Sequence, residues 1–303
     1  MTIAIITPSY QNDFSLATAL CRSMDAMVSG DWVHHLIVPR RDLSLFRALE
    51  GPRRRVQAKE DIVSAHGYRS LPLPRRIRIP GLIDRRFKEQ WWVPGAGRTS
   101  GWLVQQIIKL SAPDFTPAET LVFIDSDVQF VRPCAVEDLT GRGLVNLNQH
   151  SKGVQLATHQ RWCGIARELL GLGADGGEQH NYIGSIVAWR RENLLKLQRH
   201  IAARAGRPWH RAITDKGDVS EYILYGMFNA LVLGEASGHR FAPSDLAVAV
   251  WVHGALAPAA TVARQFKPDA VALHLQSTLT LTEQQRNQYI GEVRQELAGH
   301  STA

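Results

Sequence analysis

Long apolar runs are missing from this chain, and their absence excludes a membrane-spanning helix, which needs roughly 18 consecutive apolar residues. The opening Met-Thr-Ile-Ala-Ile-Ile-Thr-Pro has neither the basic flank nor the longer apolar core of a secretory signal. It reads as a first strand and points to a cytoplasmic protein. Cysteine is scarce. Cys21, Cys134 and Cys163 contain no C-x-x-C pair, and one is left over under any bridging scheme, so reduced thiols are expected rather than a disulfide scaffold. No aromatics alternate with the arginines, and no recognition-helix or RNA-motif pattern occurs, so nucleic acid is not expected as a partner.

What is present suits a soluble globular enzyme. The 303 residues are 45% hydrophobic and 21% charged, enough for a large core in one enlarged domain or in two lobes. The net charge of +7 is concentrated in Arg40-Arg41, Arg53-Arg54-Arg55, Arg75-Arg76-Ile77-Arg78 and Arg85-Arg86-Phe87-Lys88. Solvated basic loops explain such clusters most simply. Attraction to an anionic donor, an acidic glycan or an anionic membrane surface is the functional alternative, with peripheral membrane contact as its extreme. Nothing in the sequence fixes an oligomeric state.

The order of elements is that of an α/β protein. Ile3-Ala-Ile-Ile6 reads as a buried strand, followed by the turn-rich Thr7-Pro8-Ser9-Tyr10-Gln11-Asn12. From Asp13 to Met27, apolar residues at Phe14, Leu16, Ala17, Leu20, Met24 and Met27 have helical spacing, with an Asn/Asp cap in front. Trp32 to Val38 reads as a second strand, completing a strand-helix-strand opening of Rossmann type. Between Gly51 and Gly101 periodicity fades while Pro, Gly and Arg accumulate, which predicts a loop-rich insertion over 51–101. Within it, Trp91-Trp92 beside Gly95 and Gly97 suggests one anchoring ring and one sugar-stacking ring. The expected architecture is a central, mostly parallel sheet flanked by helices over 1–280, with a C-terminal helix and tail over 281–303.

The chemistry concentrates in Leu121-Val-Phe-Ile-Asp125-Ser-Asp127-Val128. Four strand-forming residues end in two carboxylates one residue apart. Ligands of open α/β sheets bind beyond such strand ends. Positions two apart point the same way, so the pair can share a hard cation, Mg²⁺ or Mn²⁺, that neutralises a diphosphate. Upstream, Trp102, Gln105, Gln106 and Lys109 share one side of an amphipathic helix whose plain reading is a solvated polar face.

These features resemble GT-A glycosyltransferases, and further motifs follow in that family's order. Thr7-Pro8-Ser9-Tyr10 is similar to its uridine-binding loop, and Lys109, sixteen residues before Asp125, to a lysine near the donor phosphate. Asn181-Tyr-Ile-Gly184-Ser185 resembles the small-residue turn beside the donor sugar. Asp218-Val-Ser-Glu221 resembles the acidic helix start facing the acceptor. Ala270-Val-Ala-Leu-His274 resembles the strand whose histidine completes the metal site. Ser220-Glu-Tyr-Ile-Leu-Tyr225-Gly226 is also similar to a bacterial group of GT-A-like proteins, the DUF6492 family.

The resemblance implies transfer of a sugar from a nucleotide diphosphate, UDP-sugar above all, to a saccharide or lipid-linked saccharide in surface-glycan assembly. It implies metal ligation by Asp125, Asp127 and His274, and donor contacts at Thr7, Pro8, Ser9, Tyr10, Lys109, Asp125, Ser126 and Gly184. An imidazole ligand suits Mn²⁺ better than Mg²⁺. Glu221 and Asp218 are the candidate bases, although Asp218-x-x-Glu221 also has the spacing of a capping box. His253 competes with His274 as the ligand, and His34-His35 reads as structural or surface. Neither retention nor inversion follows, because the Asp-Gln-x-x-x-Asn segment of glycogenin-like enzymes is absent. A haloacid-dehalogenase-type phosphohydrolase, with Asp125 as nucleophile and Asp127 as acid, and a non-catalytic nucleotide-sugar binder are the alternatives.

Overall fold

The computed structural model describes the chain apart from residues 1, 74–75, 80–82, 87, 142, 174–179, 244–245, 252–255, 280 and 301–303. Strand β1 (Ile3–Pro8) is buried on both faces. Ile3 and Ile5 join one apolar cluster while Ala4 and Ile6 join another, as a strand inside a covered sheet requires. Helix α1 (Phe14–Met27) turns Ala17, Leu20, Cys21 and Met24 inward. The expected cap does not form. Asp13 makes no capping bond, and the preceding short turn is held by Asp42 Oδ2, which accepts from Gln11 N at 2.9 Å. Strand β2 (Trp32–Val38) then pairs in parallel with β1.

Segment 51–101 holds more regular structure than its composition suggests. Strand β3 (Arg54–Ala58) pairs in parallel with β2 and closes one edge of the central sheet. Its polar sequence is tolerated because the buried Arg54 guanidinium is fully engaged, donating to His34 Nδ1, Asp25 and the carbonyls of Cys21 and Leu49. Helix α2 (Lys59–Ser64) and the hairpin of β4 (Gln90–Val93) and β5 (Gly97–Ser100) follow.

Helix α3 (Gly101–Leu110) is capped by Ser100 Oγ, which accepts from Leu103 N at 3.2 Å. It leads to β6 (Thr120–Ile124), which pairs in parallel with β1. The short β7 (Val128–Phe130) and helix α4 (Ala157–Leu170) precede β8 (Ile186–Arg190), which lies antiparallel beside β6. The central sheet therefore runs β8-β6-β1-β2-β3, parallel except at the β8 edge, as expected of this fold class. Its two faces carry the main apolar clusters, Leu121 and Phe123 pointing to one and Val122 and Ile124 to the other.

Helices α5 (Arg191–Ala205) and α6 (Glu221–Met227) cover the Leu121/Phe123 face. There Trp189 stacks on Tyr225 at 4.2 Å between ring centroids. Strands β9 (Ala247–Val250) and β10 (Ala272–Leu275) form a second sheet with β7. Helix α7 (Glu283–His300) packs Tyr289, Ile290, Val293 and Leu297 against Val248, Leu273 and Leu275 of that sheet. Among the described residues, no helix is long and apolar enough to cross a membrane.

Candidate active site

A cleft of about 1020 Å³ opens beyond the carboxyl ends of β1, β6 and β10. Pro8, Ser9, Tyr10, Asp125, Ser126, Asp127 and His274 all line it. Three of the four residues of the first-strand loop, the Asp-x-Asp turn and the late histidine are thus gathered by topology. Ser9 N is fixed by donating to Ile37 O at 2.9 Å, while Ser9 Oγ has no protein partner.

The second sheet makes the central pair. Val128, directly after Asp127, lies opposite His274 in the antiparallel register of β7 and β10. Asp127 Oδ1 consequently sits 3.1 Å from His274 Nε2, and Asp127 Oδ2 accepts from Ser277 N at 2.7 Å. Burial pushes the Asp127 carboxyl up, but His274 and the Ser277 amide outweigh it and hold the group below the usual carboxylate range. Ser185 Oγ lies 2.9 Å from His274 Nδ1. Without a cation, Nε2–H donates to Asp127 Oδ1 and Nδ1 accepts from the Ser185 hydroxyl; with the ring proton on Nδ1 and donated to Ser185, Nε2 would present its lone pair to a cation beside Asp127.

The spacing of this pair suits a cation. Two adjacent ligands of an octahedral ion bound at about 2.1 Å lie roughly 3 Å apart. Carboxylate oxygen and imidazole nitrogen together form a donor set for Mn²⁺. Asp125 does not join them. Among the described residues no three His, Cys, Asp or Glu side chains converge as a metal cluster. His253, the competing histidine, lies outside the described residues.

Asp125 faces a buried charge cluster instead. Its side chain is 40% exposed, and Oδ1 lies 3.7 Å from Lys109 Nζ, whose own side chain is 5% exposed. The ammonium donates to Tyr222 Oη at 2.8 Å and lies 2.9 Å from Glu221 Oε1. The latter is an ion pair whose angle makes no hydrogen bond. Burial alone would depress the lysine, but Glu221, Tyr222 and Asp125 reverse this and hold it well above its ordinary value. Lys109 is therefore a fixed cation behind Asp125, off the cleft wall, and the polar side of α3 is solvated only at its Trp102–Gln105 end. Gln106 and Lys109 are buried, and Trp102 and Gln105 line the cleft.

Other anticipated residues take supporting positions. Thr7 is buried, and its Oγ1 lies 3.0 Å from His34 Nε2. Because Arg54 donates to His34 Nδ1, Nε2 carries the ring proton and donates to Thr7. Burial, with Arg54 and His35 nearby, holds His34 neutral, so this buried histidine is structural. Gly184 is off the cleft wall. A Cβ there would stand 2.9 Å from Asn148 Nδ2, so the glycine lets the Ser185 segment pack against that amide. Glu221 is 2% exposed and faces Lys109. The capping-box reading fails because Ser220 is the N-cap of α6, its Oγ accepting from Ile223 N. Asp218 accepts from Arg161 Nε at 2.6 Å and Trp162 Nε1 at 2.8 Å and does not line the cleft. That removes it as the later acidic motif of a phosphohydrolase centred on Asp125. Of the tryptophan pair, Trp91 is the buried anchor and Trp92 is exposed under Arg69, away from the cleft.

Three residues in or beside the cleft were given no site role by sequence. Asp13 lines the cleft, its carboxyl pushed up to about 6 by burial and then by Asp127, against the opposing Arg286. It follows the Ser9-Tyr10 loop closely, a proximity that could have marked it. Arg286 of α7 is buried and donates to Leu275 O and Gln276 O at the end of β10. No local pattern announces it. Trp102 was assigned to a solvated face, yet it borders the cleft.

Over residues 2–290 the sequence matches the model of DUF6492, described as a family of unknown function. The chain belongs to the DUF6492 family. No curated protein matches it. Solved structures similar to this DUF6492 chain include apo mouse xyloside xylosyltransferase 1, at 10% identity and a TM-score of 0.47, covering 93% of this chain and 100% of that one. Another is galactosyltransferase LgtC with donor and acceptor sugar analogues, at 11% identity and a TM-score of 0.44, covering 95% of each chain. Likeness at this level says nothing of what the present chain acts on.

Proposed function

We propose that the protein is a glycosyltransferase that moves a sugar from a nucleotide diphosphate donor, UDP-sugar in the first instance, to a saccharide or lipid-linked saccharide. The observation that carries this reading is the Asp127–His274 pair at adjoining strand ends, in a cleft also lined by Ser9, Tyr10 and Asp125. Asp127 and His274 would hold Mn²⁺ or Mg²⁺, whose charge neutralises the departing diphosphate. Ser9, its backbone fixed by Ile37 O, lines the cleft where the donor would lie. Asp125 is held toward the cleft from behind by the Lys109 ammonium, and Glu221 and Tyr222 keep that ammonium charged and in place. Glu221 is thereby a positioning residue, and its carboxylate is not the base for an acceptor hydroxyl.

Incubating the purified protein with Mn²⁺ and a panel of UDP-, GDP- and dTDP-sugars tests the reading. Slow release of free nucleoside diphosphate is expected. Release of inorganic phosphate from phosphate esters would move the assignment to a phosphohydrolase, and binding without turnover to a nucleotide-sugar binder. Surface-glycan assembly at the cytoplasmic face is the context in which a lipid-linked acceptor would be met.

A further inference from the structure

The cleft is larger than one donor needs. Small-molecule sites occupy about 300–1,000 Å³, and this one reaches 1020 Å³. The wall formed by α2, β5 and the start of α3 carries chemistry that the donor reading leaves unused. Trp102 is 41% exposed on that wall and lies nearly parallel to Trp162, with 5.9 Å between centroids and 14° between planes. Trp162 is fixed by its Nε1–H donating to Asp218, which Arg161 also holds. Trp102 itself sits in the first turn of a capped helix.

Polar groups flank the ring. Gln105 is three residues along α3, on the same side, and also lines the cleft. The Glu89 carboxylate lies against the helix start, where a Cβ on Gly101 would stand 2.6 Å from Glu89 Oε2. Lys59 Nζ holds that same oxygen at 2.6 Å and lies 5.5 Å from the centre of the buried Trp91 ring. A rigidly backed aromatic face, bordered by an amide and by a carboxylate–ammonium pair, is the chemistry that recognises a pyranose ring. Its apolar C–H face stacks, and its hydroxyls meet donors and acceptors together.

Resting on the glycosyltransferase reading, we infer that this wall is the acceptor subsite, with Trp102 as stacking platform for the acceptor sugar and Glu89, Lys59 and Gln105 as hydroxyl partners. Asp218 acts on it only through Trp162, as a positioning residue. The other aromatic ligand to consider is the nucleobase of the donor, and the experiment separates the two.

Methyl β-glucopyranoside, methyl β-galactopyranoside and N-acetylglucosamine serve as probes in saturation-transfer NMR with the full chain, and UDP with Mn²⁺ is titrated by calorimetry in parallel. At least one glycoside is expected to bind wild type. Its affinity falls about tenfold in Trp102→Ala, the size of one lost stacking contact, and recovers in part in Trp102→Phe. Asp218→Ala loosens glycoside binding to a smaller degree, and UDP affinity is unchanged in all three. Thermal midpoints confirm folding. Equal glycoside affinity in Trp102→Ala, or no glycoside binding to wild type, overturns the subsite. Weaker UDP binding in Trp102→Ala reassigns the ring to the nucleobase and also overturns it. Glycoside binding that depends on Trp102 while UDP fails to bind wild type would keep the sugar site and sink the donor reading instead.

Discussion

Asp127 Oδ1 and His274 Nε2 lie 3.1 Å apart although nearly half the chain separates them in sequence, because β7 and β10 pair with Val128 opposite His274. The pair is thus built into a strand register, which fixes it more firmly than a loop could. Metal and nucleotide are expected to bind it together, since two side chains leave most positions of an octahedral cation for other oxygens. Calorimetry of UDP should show an affinity gain of about tenfold or more from Mn²⁺ in wild type, absent in Asp127→Ala. Equal affinities in the two proteins with metal present would rule the site out.

The Lys109–Glu221 pair calls for a different substitution strategy. Lys109→Ala leaves the Glu221 carboxylate buried and uncompensated, so it should destabilise the fold by about 3–5 kcal/mol. Adding Glu221→Gln should restore much of that loss. If the fixed cation acts on the reaction through Asp125, the double variant remains slower than wild type by about 10²-fold while melting near it. Turnover at the wild-type rate in the folded double variant would leave the cluster a purely structural role.

Asp13 should make stability depend on pH in the metal-free protein. Its folded-state value of about 6 lies above the ordinary 3.8, so the native state keeps a proton the unfolded chain has lost. Stability from this group is complete below about pH 4 and falls as pH rises through 6. Asp13→Asn suffers no such fall. Its melting midpoint should gain on wild type from pH 4 to 6 and then hold that gain. A difference that stays constant from pH 4 to 8 would contradict the shift.

Gly226 is constrained by packing and not by backbone conformation. A Cβ there would lie 2.0 Å from the Tyr182 ring, which is itself buried. Gly226→Ala should cost about 3 kcal/mol in chemical denaturation, because neither helix α6 nor a buried aromatic can yield that far. Near-wild-type stability would mean that Tyr182 has another place to go.

Much of the fold was legible where a single periodicity dominated. The strand over Trp32–Val38 and the helix ending at Leu110 stand where the apolar spacing put them. Strand β3 was missed because Arg54, Arg55 and Gln57 disguise it, and only the tertiary partners of Arg54 make that sequence tolerable in a sheet. Asp125, Asp127 and His274 line one cleft, and the aspartates could be placed there because strand ends and residue types are local signals, while His274 came from the family resemblance. That Asp125 would turn toward Lys109, and Asp218 toward Trp162, depends on how helices pack side by side. Spacing within one segment carries no trace of that.

Arg286 has a consequence for how the molecule is made. It reaches from the last helix to the carbonyls that end β10, beside Asp127 and Asp13, so the strand end that carries His274 is braced by a residue synthesised long after the Asp-x-Asp turn. At ribosomal rates of about 5–20 residues per second, on the order of ten seconds or more pass between emergence of the Asp-x-Asp turn and of this arginine. Through that interval the nascent chain holds its aspartates without the helix that seats them. The Asp127–His274 pair therefore forms late in translation, once β10 has emerged, and is braced later still, when α7 docks.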